Sequence, residues 1–321
     1  MNKKSTTIGL IAIWGWCFFS ALSRVLTSHV TQQIDPAVIC FYTFIFSSLL
    51  FNVLNSRNSR NTMSKLKDDD NRKNIILLNI TTFGAWFFLI YPLKYIEPAM
   101  VSTITLGISP FATLVFAYFI YQKMELNIFD IVISLMMLAI VFYIIYLCYS
   151  GVTMIGKVPL MNLVYAIVSC LIVGFATTAS NIFAKKLSNN QFKPIEVLAS
   201  RFFLTVILSG IITVSMGKSL LVSYVDIENI AMLSVILVIF PLYLGQVGIK
   251  ELEPITVAIT APLMPVLVLV FELIDHQHFS ILAIISTIMI CVLVILSVSV
   301  HYQKNKMRHE NLNATNQLKQ A

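Results

Sequence analysis

The stretch KYIEPAMVSTITLGISPFATLVFAYF, Lys94 to Phe119, sets a lysine, a glutamate and a proline in front of a long apolar run. A second stretch, KELEPITVAITAPLMPVLVLVFELID, Lys250 to Asp275, repeats the plan. Their prolines, Pro98 and Pro254, stand 156 residues apart. Proline suits the first position of a helix, where its missing N–H costs nothing. Glu97 and Glu253 then sit against the positive helix start, and Lys94 and Lys250 near the end of the preceding span. The two tags read as turn punctuation copied by duplication rather than as one chemical site.

The rest of the chain fits that reading. Of its 321 residues, 58% are hydrophobic and 12% charged. A soluble domain carries roughly 25% charge, so lipid is the expected solvent. A membrane helix needs roughly 20 mostly apolar residues. About ten segments qualify, near 8–28, 37–54, 75–93, 98–120, 128–148, 160–184, 195–216, 228–248, 254–274 and 279–300. DPAVICFYTFIFSSLLF and KPIEVLASRFFLTVILSG open the second and seventh, with Pro36 and Pro194 offset by 158 residues. Two halves of five spans follow: 1–148 and 149–300, with a polar, disordered basic tail at 301–321. Five is odd, so the second half enters the membrane inverted, a plan common in secondary transporters. The expected fold is all-α, an integral membrane protein of ten transmembrane helices in two inverted repeats.

Charge sets the orientation. With a cytoplasmic N-terminus and ten spans, seventeen Lys and Arg fall on the cytoplasmic side and three outside. The two within spans are Arg24 and Arg201. That asymmetry follows the positive-inside rule and places both termini in the cytoplasm of a bacterial cell. The tags then lie on opposite faces, roughly 30 Å apart. Residues 55–74, NSRNSRNTMSKLKDDDNRKN, read as a solvated cytoplasmic loop. The N-terminal apolar run has no A-x-A-like cleavage site and reads as a retained first span. The five cysteines form no C-x-x-C pair, and His276 and His278 have no nearby ligand cluster, so no metal or other cofactor is expected. There is no G-x-x-x-x-G-K-[ST] run for ATP, and the net charge of +7 sits in loops rather than on a nucleic-acid face.

The ordered set of motifs resembles the EamA branch of the drug/metabolite transporter superfamily. Trp16 followed by Arg24 matches the spacing of family first spans. The Lys94 and Lys250 stretches resemble the family's strongest block, including the internal Pro110. GFATTASNIFAKKLSNNQFKPIEVLASRFFLTVILSG resembles the sixth and seventh spans, including Arg201. The resemblance covers nearly the whole chain. It departs at span two, where aromatics and Thr43 replace an arginine. It departs again at YQKMEL and LIDHQH, which replace a Gly-Glu-Arg-Leu turn. The first span also resembles that of bacterial aromatic amino-acid exporters.

A charge within the bilayer costs at least a few kcal/mol, so Arg24, Arg201 and Glu272 need reasons. Arg24 has two readings, snorkelling outward or lining a pathway. Arg201 can face an anionic group, snorkel, or pair with Glu196. Glu272, beside Asp275, reads as a solvated outer rim, and is the carboxylate to test if protons couple transport. Ser102, Thr105, Ser109 and Thr113 share an arc of about 80°, beside Pro110. This face suits a cavity or close helix packing. Thr256, Thr260, Pro262 and Pro265 are its counterpart in the second half, and Pro110, Pro262 and Pro265 are candidate gating breaks. Trp16, Trp86 and Tyr91 are candidates to stack on substrate, with Tyr243, Gln246 and the expected buried amide Asn181 beside them. Trp14 reads as packing.

These residues imply a secondary transporter of a small organic metabolite, an amino acid or derivative, working by alternating access. Export is favoured over import of an S-adenosylmethionine-type metabolite. An enzyme or channel embedded in the membrane is the reading from another class. The expected partners are substrate, lipid and a coupling proton, not nucleic acid, in a monomer or homodimer.

Overall fold

The computed structural model describes residues 3–116, 128–151, 158–221, 223–252, 260, 263–275, 281, 284–296 and 299–300. Pro254, Thr256, Pro262, His276, His278, Glu253, the YQKMEL turn and the 301–321 tail lie outside them. Every element among the described residues is helical: α1 (Lys3–Gln33), α2 (Pro36–Asn55), α3 (Ser59–Lys65), α4 (Asp69–Ile90), α5 (Pro98–Phe116), α6 (Ile128–Ser150) and α7 (Leu160–Asn189). After these come α8 (Pro194–Ser200), α9 (Phe203–Ser215), α10 (Tyr224–Ser234), α11 (Phe240–Glu251), α12 (Leu263–Ile274) and α13 (Ile284–Leu296). Among the described residues, 7 helical stretches are long and apolar enough to cross a membrane, and α12 and α13 are shorter apolar helices.

The starts of these helices follow their sequence. Asp35 caps α2, accepting from Ala37 N at 3.0 Å, and Pro36 takes the first position. Pro98 opens α5 in the same way, and Glu97 beside it is buried. Pro194 opens α8, where Glu196 Oε2 accepts from Lys193 N at 2.8 Å. At α11 the cause is different. Pro241 has no N–H to give, and the five residues before α11, Val235–Ile239, widen into a π-turn.

The helices pair in a definite pattern. α1 packs on α11 and α12, and α7 packs on α4 and α5. α2 packs on α9 and α10, α4 on α9, and α5 on α6 and α12. Glycines allow the closest approaches. A Cβ on Gly174 would meet Ile108 Cγ2 at 2.5 Å, and one on Gly15 would meet Leu244 Cδ1 at 2.8 Å. Thr103 and Thr287 share a buried hydrogen bond of 2.8 Å that ties α5 to α13. All five cysteines are free and buried inside the helices.

Residues 55–74 are helical rather than a loop, although most of their side chains are exposed. The chain continues from α2 through a 3-10 turn into α3. Buried amides hold it there. Asn55 Nδ2 donates to Thr62 Oγ1 at 3.2 Å, and Asn71 Nδ2 donates to Lys65 O at 3.0 Å. Asn190 Nδ2 reaches Asn71 Oδ1 at 2.7 Å from the end of α7. Short polar side chains, read as solvent-seeking, here satisfy backbone groups and one another.

Candidate functional site

The seventh span is broken. α8 ends at Ser200 and α9 begins at Phe203, with no proline between them. An unbroken helix would join Ser200 O directly to Leu204 N, four residues on. Instead the carboxamide of Asn79, from α4, stands between them. Its Nδ2 donates to Ser200 O at 2.7 Å and its Oδ1 accepts from Leu204 N at 3.3 Å. Asn52, from α2, donates to Ala199 O at 3.2 Å. A side chain inserted in the ladder is a recognised cause of a helix break.

Arg201 sits in the break and is 5% exposed. Its Nε donates to Thr82 Oγ1 at 3.2 Å and its Nη2 to Ser180 Oγ at 2.8 Å. Its guanidinium also lies 5.7 Å from the ring centre of Phe202. A guanidinium has five N–H donors. Two are used here, both on neutral hydroxyls, and no carboxylate pairs with it among the described residues. Of its three readings, pairing with Glu196 is not made. Glu196 is fully buried and taken by Lys65 Nζ at 2.7 Å, Lys193 N at 2.8 Å and Asn61 Nδ2 at 3.1 Å. Trp86 stands one turn along α4 from Thr82 and packs edge-on to Phe44 at 5.7 Å. It touches two of the apolar clusters of the core.

Arg24 belongs to a second centre. It is half-buried and gives its Nη1 to Ser102 Oγ at 2.9 Å. Ser102 in turn donates to Pro98 O at 2.7 Å. Nearby, Glu272 is not a solvated rim: it is 1% exposed. The carboxylate crosses from α12 to the start of α5, where its Oε1 accepts from Ala99 N at 3.1 Å, as an anion at a helix N-terminus should. Its Oε2 has no hydrogen-bond partner among the described residues. Asp275 lies outside this contact and meets His29 Nε2 at 2.6 Å.

The hydroxyl face of α5 is spent on its own backbone. Thr105 donates to Ser102 O at 3.0 Å, Ser109 to Thr105 O at 3.1 Å and Thr113 to Ser109 O at 2.8 Å. These bonds flank Pro110, which withholds a donor from the helix interior. Trp16 lies over Gly245, next in sequence to the buried Gln246, whose Oε1 has no hydrogen-bond partner among the described residues. Thr260 O accepts from Cys17 Sγ at 3.6 Å. Tyr91 packs on Tyr95 at 5.2 Å, and Tyr243 is 41% exposed. Pro265 is buried in α12. Asn181 is exposed rather than buried: its neighbour Ser180 is the residue on α7 turned to Arg201.

The candidates thus divide between an Arg201 centre on α4, α7 and the α8–α9 break and the start of α5, where Arg24 of α1 meets Ser102 and Glu272 of α12 separately meets Ala99 N. Asn79, Asn52, Thr82 and Ser180 complete the first centre. Their one signal in the sequence is polarity inside apolar runs.

Seven helical stretches long and apolar enough to cross a membrane, with further shorter apolar helices packed on them, define a multi-pass membrane protein. The sequence profile of the EamA-like transporter family matches residues 7–146 and 162–299, and the chain belongs to that family, within the drug/metabolite transporter superfamily. It is a family of transporters, not of enzymes. No curated protein matches significantly. Among solved structures, one described only as "Crystal structure of protein" has a TM-score of 0.61 at 16% identity, covering 94% of this chain and 97% of that one. The likeness is one of fold.

Proposed function

We propose that this protein is a secondary active transporter that exports a small organic anion or zwitterion, an amino acid or a derivative, across the bacterial cytoplasmic membrane. The observation that carries this reading is Arg201: a buried guanidinium at a helix break, paired among the described residues with neutral hydroxyls and no carboxylate. A substrate carboxylate is the partner it lacks, and a planar fork suits a carboxylate in two-point contact. Discontinuous spans are where such carriers place their sites.

The mechanism is alternating access of two inverted halves of five spans, with both termini cytoplasmic. The helix pairing supports it. Exchanging each span for its counterpart turns the α1–α11 contact into α7–α4, α1–α12 into α7–α5, and α2–α10 into α9–α4, and each of these is a contact in the structure. Glu272 is the proposed proton-coupling group, because it bridges α12 and α5 and keeps one carboxylate oxygen without a partner among the described residues. Reconstituted vesicles test the reading. Saturable counterflow of a labelled amino acid, lost in Arg201→Ala, is expected. Product formation with no net flux would sink it, and the sign of flux under an imposed proton gradient reads direction.

A further inference from the structure

Glu272 is 1% exposed, and its Oε2 has no hydrogen-bond partner among the described residues, so a proton bound for that oxygen needs a carrier. The end of its own helix supplies one. The helical ladder runs past α12 to Asp275, whose N donates to Phe271 O at 3.0 Å. At 100° per residue, Val268, Glu272 and Asp275 share an arc of about 60°. Asp275 stands one turn beyond Glu272, with roughly 5–6 Å between Cβ atoms at that spacing. α1 packs on the same face, where Ala21 and Val25 join Val268 and Leu269 in one apolar cluster. One turn past Val25, His29 Nε2 lies 2.6 Å from Asp275 Oδ2. The side chains of His29 and Asp275 are 50% and 39% exposed. A row of proton-exchanging groups thus runs from water to the buried carboxylate.

The other charges near Glu272 make no such row. α12 packs on α1 and α5. On α1, Arg24 gives its Nη1 to Ser102 Oγ. In the turn before α5, Lys94 Nζ lies 6.0 Å from the ring centre of Tyr95. Glu97 and Asp275 are both in electrostatic range of Glu272, but Glu97 is 4% exposed and no better placed to meet water. We propose that His29 and Asp275 form the proton entrance to Glu272. His29 takes a proton from water, and its imidazolium Nε2–H passes one to Asp275 Oδ2. Asp275, now a carboxylic acid, hands it directly or through one water to Glu272 Oε2 and returns to a carboxylate. Glu272 ends neutral, with Oε1 still accepting from Ala99 N, and His29 ends as a neutral imidazole. Imidazole suits the first step because it gives and takes protons near neutral pH. With Glu272 as the coupling group, the reading on which this rests, the entrance lies on the outer face in the topology proposed above, where a proton-driven exporter takes protons up.

The test uses the full chain in vesicles. A light-released proton pulse is followed by infrared absorption of the carboxylic-acid carbonyl, and the Glu272 signal is the one missing in Glu272→Gln. Asp275→Asn keeps an acceptor for His29 but cannot carry a proton, and should slow the rise of that signal about 100-fold. His29→Ala should slow it to a similar degree, and imidazole added to the medium should restore it. Imidazole should not restore Asp275→Asn, whose missing group comes after the imidazole in the row. Both variants alter an exposed pair, so their unfolding temperatures should stay close to wild type. A loosened contact between α1 and α12 would not respond to imidazole. A Glu272 signal that rises as fast in Asp275→Asn as in wild type would overturn the entrance and leave Glu272 as the coupling group. Failure of imidazole to restore His29→Ala would also overturn it, since His29 would then act by packing. A Glu272 that shows no protonation signal at any pH would overturn the entrance and the coupling role together.

Discussion

Asn79→Leu is the sharpest probe of the broken span. The substitution keeps the side chain's size and removes its amide. Two backbone groups lose their partner, Ser200 O at 2.7 Å and Leu204 N at 3.3 Å. If the break persists, each is left buried and unpaired, at about 1–3 kcal/mol apiece, or roughly 2–6 kcal/mol together. At about 2 °C per kcal/mol for a chain of this size, the apparent unfolding temperature falls by roughly 4–12 °C. If the break closes, Ser200 O and Leu204 N bond to each other and the stability loss shrinks. Arg201 then turns with the helix and leaves Thr82 and Ser180. Either way transport falls. Thermal unfolding in detergent, followed by counterflow in vesicles, separates the two cases, and amide hydrogen exchange at Leu204 reports closure directly. Unchanged stability together with unchanged flux would refute the argument, because the amide would then not be holding the break.

Further outcomes are expected elsewhere. Arg201→Lys should lose most substrate affinity although it keeps the charge, because an ammonium cannot span Thr82 and Ser180 as a fork; equal affinity by thermal-shift titration would remove Arg201 from the site. Lys65→Met should destabilise the fold by about 3 kcal/mol, since it leaves Glu196 as a buried charge with only N–H partners; a denaturation midpoint like wild type would contradict this. Glu272→Gln retains an acceptor for Ala99 N but cannot titrate. It should abolish proton-driven accumulation and spare counterflow, and a normal response to a proton gradient would exclude Glu272 from coupling. Gly174→Val should cost about 1–3 kcal/mol by overpacking against Ile108, checked by thermal unfolding.

The apolar helices and their starts are legible in the sequence because each depends on neighbours in the chain. Pro36, Pro98 and Pro194 announce helices within one turn of themselves, and Pro241 disturbs the turn just before it. The site is less legible because its contacts are remote. Asn79 meets Ser200 across 121 residues, and Asn52 meets Ala199 across 147. Nothing local to residues 200–204 signals a break. Glu196 illustrates the same limit. Its nearest cation in sequence, Lys193, offers it a backbone N–H, while its charge partner is Lys65, 131 residues away. The folded 55–74 segment was hidden by composition, since asparagines that satisfy backbone groups look like asparagines that face water. Depth is also read poorly from one helix alone. Asn181 and Ser180 are adjacent, yet only Ser180 turns inward.

The placement of the cysteines has a practical consequence. All five thiols lie within the helices and away from solution, so the unmodified chain offers water-soluble maleimides almost nothing to label. A single cysteine placed at Arg57, at Lys218 or along α9 would report on an otherwise silent background. Which face of the membrane each end occupies, and which residues water reaches during a transport cycle, can be mapped without first rebuilding the interior.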